Sequence, residues 1–153
     1  MVEDLIDYCV KENISYRIIS NNERTKIKEY INERYLDRGR KNGCTLFDYL
    51  KISESVVADA TDSWQWLQPF FKGKKIVIFF RYDEEQYVEL SDGSFFFKFY
   101  DDYAAIEFYL IDPYGEYLCG YNHSHCIFTM GTVADWLEKN EEYRKHYGYD
   151  LMI

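Results

Sequence analysis

The stretch EFYLIDPYGEYLCGYNHSHCIFTMG, residues 107–131, decides the fold of this 153-residue chain. Two apolar runs with the length of β-strands, 106–111 and 116–121, flank the turn sequence Asp-Pro-Tyr-Gly at 112–115. A third run, 126–129, follows a short polar loop. Because proline and glycine favour tight turns, and connections this short join antiparallel neighbours, the stretch predicts three consecutive strands of an antiparallel sheet.

The predicted sheet extends upstream to residue 75. Residues 76–80 (IVIFF) form a continuous apolar run, which indicates a central strand. Residues 87–90 and 95–99 flank Ser-Asp-Gly-Ser at 91–94, and Asp-Gly tolerates the positive φ of a hairpin turn. The sequence therefore predicts an antiparallel β-meander of about five to six strands between residues 75 and 129.

The segments on either side of the sheet have mainly helical periodicity. Helices are predicted over residues 2–12, 22–38 and 132–145, and a short strand over 14–19. Ser20 and Glu23 have the spacing of a capping box, which fixes the start of the second helix.

The separation of helices from strands along the chain predicts an α+β fold in a single domain, residues 1–153. A largely helical part, 1–72, precedes the sheet at 75–129, and the C-terminal helix follows it. The helices are expected to pack on one face of the sheet. The other face would then be partly open to solvent or to a partner.

Acidic and aromatic side chains are concentrated in the same part of the chain. Between Tyr82 and Leu118 there are ten acidic residues, one basic residue, and twelve tyrosines and phenylalanines. Carboxylates remain at the surface, where their field repels nucleic acid and attracts basic proteins. We therefore expect a basic protein partner and no nucleic acid. The alternative is that the charge serves solubility alone.

The predicted binding surface has a charged rim and aromatic anchors. The rim consists of carboxylates in predicted turns: Asp83, Glu84, Glu85, Asp101 and Asp102. Tryptophan and tyrosine dominate the energetics of protein interfaces, so the candidate anchors are Trp66, Tyr82, Tyr100 and Tyr103. Packing of the tryptophans on the sheet is the alternative role for Trp66.

Cys119, His123, His125 and Cys126 are the one cluster of soft metal ligands in the sequence. Their spacing matches no standard closed zinc site. If Tyr121 pairs with Cys126 across the hairpin, the two thiols lie roughly 7 Å apart on one face, and both histidines lie in the turn, pointing away. We therefore expect no metal and no cofactor.

No familiar catalytic motif is present: the sequence has no nucleophile elbow, phosphate-binding loop, dinucleotide fingerprint or H-E-x-x-H. Neighbours in a strand point to opposite faces, so His125 and Cys126 would not form a catalytic pair. The paired carboxylates at 84–85 and 101–102 lie in turns, where such groups are solvated. We expect a protein that is not an enzyme. The alternative is a small cytosolic enzyme or ligand-binding domain that uses the Asn122–Cys126 loop.

The C-terminal half resembles a group of small bacterial proteins. EFYLID (107–112), followed by EYLCGYNHSHCIFTMGTVADWL (116–137), has their pattern of an aromatic strand, a hairpin with an Asn-His loop, and a helix with Trp-Leu after a glycine. Over residues 64–138 the chain is similar to immunity proteins of polymorphic toxin systems, including the SUKH group. The resemblance implies a non-enzymatic intracellular protein that binds and neutralises a cognate toxin.

The sequence also indicates a cytoplasmic location. The first ten residues, MVEDLIDYCV, lack the cationic region and the apolar run of a signal peptide. No window is long and apolar enough to span a membrane. The four cysteines do not have the spacing of a disulfide framework, so reduced thiols are expected.

Overall fold

The computed structural model describes residues 1–39, 43, 45–103, 106–122 and 124–150. Within them, seven strands form one open antiparallel sheet: β1 Tyr16–Ile18, β2 Val56–Ala58, β3 Ile76–Phe79, β4 Val88–Leu90, β5 Phe108–Ile111, β6 Tyr117–Tyr121 and β7 Ile127–Gly131. The order across the sheet is β1-β4-β3-β5-β6-β7-β2. The described residues also form six α-helices: α1 Val2–Lys11, α2 Asn21–Arg34, α3 Gln68–Phe71, α4 Phe95–Asp101, α5 Thr132–Glu138 and α6 Glu141–His146. The predicted α+β class and antiparallel sheet are confirmed.

Helices cover both faces of the sheet, so the expectation of one covered and one open face is wrong. In β3, Ile76 and Ile78 belong to an apolar core shared with α1, α3, α4 and α5, whereas Val77 and Phe79 belong to a second core shared with α2. All four side chains are at most 1% exposed. A strand that is apolar on both faces requires cover on both, which the IVIFF run already implied.

The segment 95–99, predicted as a hairpin strand, is part of helix α4. Asp92 accepts hydrogen bonds through Oδ1 from the Ser94 amide (3.0 Å) and hydroxyl (2.6 Å), which directs the chain into the helix. Phe96 and Tyr100, one helical turn apart, are both buried. The sheet has no place for the predicted strand, because β1 and β3 occupy both edges of β4.

The other differences concern element boundaries. The strand predicted at 14–19 and the capping box of Ser20 are confirmed, but α2 ends at Arg34 rather than at 38. The edge strand β2 lies in the part of the chain, 1–72, that was predicted to be largely helical. The predicted C-terminal helix is two helices, because the Asn140 side chain accepts the Tyr143 amide (3.1 Å) and begins a new helix.

Candidate binding site

Antiparallel pairing brings the acidic segments to one end of the sheet. Phe79, the last residue of β3, pairs with Tyr109 near the start of β5, so the loop after β3 and the segment before β5 leave the sheet at the same end. Helix α4 runs towards this end, because it connects β4 to β5. We call this surface the acidic end. It comprises Asp83, Glu84, Glu85, Asp101, Asp102 and Glu107.

The structure therefore brings all five predicted rim residues to one end of the sheet. Glu84 is half-buried, and the other four are exposed. Asp102 also extends the acidic end towards α1. Burial raises the pKa of Tyr8 in that helix, and the carboxylates of Glu12 and Asp102 raise it further.

A cavity of about 1070 Å³ lies at the acidic end. Five parts of the chain contribute to its walls: Met1, the end of α2 with the segment after it, the 3-10 helix Leu46–Tyr49 with the residue before it, the loop after β3, and the start of β5 with the residues before it. Its carboxylate and guanidinium side chains within the described residues are Asp37, Arg38, Arg81, Asp83, Glu84 and Glu107. Asp101 and Asp102 do not line it. The predicted rim is thus divided between the cavity wall and the surface beside it.

The loop after β3 is held in place by its own hydrogen bonds. The buried Tyr87 donates its hydroxyl to the Tyr82 carbonyl at 2.6 Å. The Phe80 amide donates to Glu84 Oε2 at 3.2 Å, and the Glu84 amide donates to the Arg81 carbonyl at 3.2 Å. The loop therefore presents the Glu84 carboxylate to the cavity in a fixed position.

The Glu84 carboxylate is only partly compensated by its surroundings. Burial raises its pKa, whereas the Phe80 and Arg81 amides, the N-terminal ammonium and the Arg81 guanidinium lower it. Arg81 itself forms an ion pair with Asp83 at 3.1 Å. These two cations act at a distance: within the described residues no lysine or arginine is ion-paired with Glu84, so a cation bound in the cavity could form a direct ion pair with it.

Tyr109, which lines the cavity, belongs to a stack of three aromatic rings. The Phe79 ring stacks between those of Tyr87 and Tyr109, at centroid distances of 4.4 and 5.0 Å. The Tyr109 hydroxyl donates to Glu107 Oε1 at 2.5 Å and accepts the Phe47 amide at 3.3 Å. Burial raises the pKa of Tyr109, so this hydroxyl remains a donor.

Sequence reasoning did not single out Glu107 or Tyr109 as site residues. The signal that could have found Glu107 was a carboxylate inside the otherwise apolar run predicted as a strand at 106–111, and no comparable signal marks Tyr109. Both residues line the cavity.

Two of the predicted anchors lie at the acidic end with partly exposed rings that a partner could contact. Tyr82 is half-buried in the cavity wall, with Lys28 Nζ at 4.8 Å from its ring centroid. Tyr103 is also half-buried, and its ring stacks on Phe99 at 4.8 Å. Both rings are partly exposed and held by neighbours, as interface anchors commonly are.

The other two predicted anchors have different surroundings. Tyr100 is 0% exposed, and its hydroxyl donates to the Ile106 carbonyl. It is a core residue and not a surface anchor, because α4 turns this side chain towards the sheet. Trp66 is half-buried against His146 of α6, with ring centroids 5.7 Å apart, and does not line the cavity.

The predicted pairing of Tyr121 with Cys126 is wrong by one residue. Tyr121 pairs with Ile127, and Asn122 closes the loop by donating its amide to the Cys126 carbonyl at 2.9 Å. The reason is that the loop between the two strands is one residue longer than predicted, with His125 at a positive φ of 60°. Cys126 therefore lies beyond the end of the β6–β7 pairing.

The described residues of the Asn122–Cys126 loop bond mainly with one another. Asn122 Oδ1 accepts the amides of Ser124 (2.9 Å) and Cys126 (3.1 Å), and His125 Nδ1 lies 3.0 Å from the Tyr121 hydroxyl. Burial raises the pKa of Cys126, which keeps the thiol protonated and weakly nucleophilic. These contacts weigh against a Cys–His pair here. His123 lies outside the described residues.

We expect the purified protein to contain no stoichiometric zinc. Cys119 is buried, and burial raises the pKa of its thiol, which disfavours the thiolate that zinc requires. Within the described residues no group of three or more His, Cys, Asp or Glu side chains could hold a metal ion. Elemental analysis of protein purified without chelators measures this. Near-stoichiometric zinc that is lost in Cys119→Ser or Cys126→Ser would contradict the prediction.

Comparison with protein families, curated protein sequences and solved structures found no match to this chain. Among the described residues, none of the helices has the length and apolar character needed to cross a membrane. The assignment of function therefore depends on the site itself.

Proposed function

We propose that this chain is an immunity-type binding protein that binds a basic partner protein, such as a toxin domain, at its acidic end. The observation that carries the proposal is that all five predicted rim carboxylates lie at one end of the sheet, next to a cavity of about 1070 Å³. Inhibition is by occlusion, which requires no catalytic group on this chain. The protein acts in the cytoplasm, where it meets its partner.

The difference in charge between the two ends of the sheet supports binding of the partner at the acidic end. At the acidic end, carboxylates dominate the loop after β3 and the end of α4. At the opposite end, Lys72, Lys74 and Lys75 precede β3 and lie at the same end as Asp112 and Glu116, so the charges are mixed. A basic partner is therefore attracted and turned towards the acidic end before contact.

Two rings at the acidic end suit the role of anchor. Tyr82 and Tyr103 are half-buried and are fixed by contacts with Lys28 and Phe99. Anchors of this kind slow dissociation, whereas exposed carboxylates mainly speed association. The two kinds of residue therefore have separable kinetic effects.

Small-molecule binding is the second candidate function, and the volume of the cavity favours it. Ligand pockets commonly measure about 300–1,000 Å³, close to the value here. We therefore propose the cavity, rather than the Asn122–Cys126 loop, as the site for this alternative function. Binding of a small molecule in the cavity would be almost insensitive to Asp101 and Asp102, which do not line it.

Capture of the partner with matched charge variants tests the proposal. One variant carries lysine in place of four exposed rim residues: Asp83, Glu85, Asp101 and Asp102. The control variant has the same net charge and carries lysine at four exposed glutamates elsewhere: Glu29, Glu54, Glu138 and Glu142.

Each protein is used as bait in a lysate of the source cell, and retained proteins are identified by mass spectrometry. We expect the unmodified protein and the control variant to retain the same basic protein and the rim variant to lose it. Retention by all three baits, or capture of an acidic partner, would contradict the proposal.

A further inference from the structure

The cavity at the acidic end combines apolar walls with a half-buried carboxylate. Leu36, Leu46 and Ile106 line it together with Glu84. An arginine side chain has the matching two parts, because its methylene stem packs on apolar surface while its guanidinium binds carboxylates. A purely apolar side chain would leave Glu84 without an ion-pair partner, and a short acidic one would be repelled.

The charges already present leave room for one more cation. Arg81 is ion-paired with Asp83, and Arg38, the other arginine of the described lining, is exposed. The N-terminal ammonium of Met1, which also lines the cavity, is ion-paired with Asp4 at 3.5 Å. Glu84 has no ion-pair partner within the described residues. A guanidinium beside Glu84 would form a charge-assisted hydrogen bond in a partly buried setting, where such bonds are strong.

Tyrosine rings in the cavity wall favour a guanidinium over an ammonium group. Tyr49 and Tyr82 are half-buried in the lining, and a planar guanidinium stacks on such rings. Tyr82 already has a cation near its ring, from Lys28 at 4.8 Å. An ammonium group is a strongly hydrated point charge, which loses more on entering this space.

We infer that the cavity receives an arginine side chain of the basic partner, which places its stem along Leu36, Leu46 and Ile106 and its guanidinium at Glu84. The inference rests on the proposed function. It adds the residue type that the partner must present and the point where that residue is held. The rim carboxylates attract the partner, and the cavity binds one of its arginine side chains.

Single-residue probes test this without the partner. N-acetylarginine amide is titrated into ¹⁵N-labelled protein and compared with its neutral isostere, N-acetylcitrulline amide, and with N-acetyllysine amide. We expect saturable shifts of the amides at 80–84 and 106–109 with the arginine probe. Binding of the citrulline and lysine probes should be about tenfold weaker. Absence of saturable shifts, shifts confined to other regions, or equal binding of arginine and citrulline would overturn the inference.

A pair of variants locates the contact. Glu84→Gln keeps the acceptor for the Phe80 amide and removes the charge, so about tenfold weaker binding of the arginine probe is expected. Glu142→Gln, at an exposed position outside the acidic end, should bind like the unmodified protein. Equal affinities of both variants would overturn the role of Glu84.

These results separate the two claims. If the rim variant loses the basic partner but the arginine probe does not bind, the cavity inference fails and the proposed function stands. If the arginine probe binds in the cavity but no basic partner is captured, the proposed function fails.

Discussion

Replacement of Phe96 by alanine is expected to lower the free energy of unfolding by about 3–5 kcal/mol. Phe96 is 0% exposed, and its ring lies 5.0 Å from that of Phe108, 5.7 Å from that of Tyr100 and 6.3 Å from that of Phe80. Truncation would leave a void between α4 and the sheet that these rings cannot fill without rearrangement. Urea denaturation followed by circular dichroism measures the change.

Phe95→Ala is the matched control, because the neighbouring ring is 49% exposed. Its effect should stay within about 0.5 kcal/mol. The comparison also tests the helix itself. In a β-strand over 95–99, Phe95 would share a face with Phe97, and Phe96 would share one with Lys98. A larger loss for Phe95→Ala than for Phe96→Ala would therefore contradict the α4 helix.

Reversal of the rim is expected to have the largest effect on function. With lysine at Asp83, Glu85, Asp101 and Asp102, association with the basic partner should slow by at least about tenfold at low salt. The reason is that exposed charges act on the encounter before contact, while the anchoring rings remain unchanged. Stopped-flow or surface-based kinetics measures the association rate constant.

The control variant shows whether the position of the charge or only the net charge affects association. It carries lysine at four exposed glutamates outside the acidic end: Glu29, Glu54, Glu138 and Glu142. It has the same net charge, so solubility effects are shared, but the acidic end is intact. Its association rate constant should stay within about twofold to threefold of that of the unmodified protein. Equal slowing in both variants would mean that net charge, and not the acidic end, determines the rate.

Parts of the sheet could be predicted because pattern and turn chemistry agree. Residues 106–111 and 116–121 are apolar runs of strand length joined by Asp-Pro-Tyr-Gly, and strands β5 and β6 lie there. The aromatic run at 95–99 carries no such information, since both faces of a strand and one face of a helix can be built from phenylalanine. In the structure β4 lies between β3 and the distant strand β1, so no edge of β4 is free to pair with residues 95–99, and these residues form a helix.

The rim could be predicted in part for a topological reason. Antiparallel neighbours return the chain to the same end of a sheet, so acids in alternate connections meet there. The cavity could not be predicted, because its walls come from segments far apart in sequence, such as Leu36, Leu46, Phe80 and Ile106. The burial of Tyr100 could not be predicted either, because the aromatic run before it fits a strand as well as the α4 helix that turns Tyr100 towards the sheet.

The salt dependence of the association rate constant tests the electrostatic origin of binding most directly. Exposed charges are screened over about 10 Å at 0.1 M salt, so the rate for the unmodified protein should fall steeply as salt rises. The rim variant should start slow and show a nearly flat dependence. If the captured partner associates with the unmodified protein at a rate that salt does not change, or if the rim variant retains the steep dependence, binding at the acidic end is contradicted.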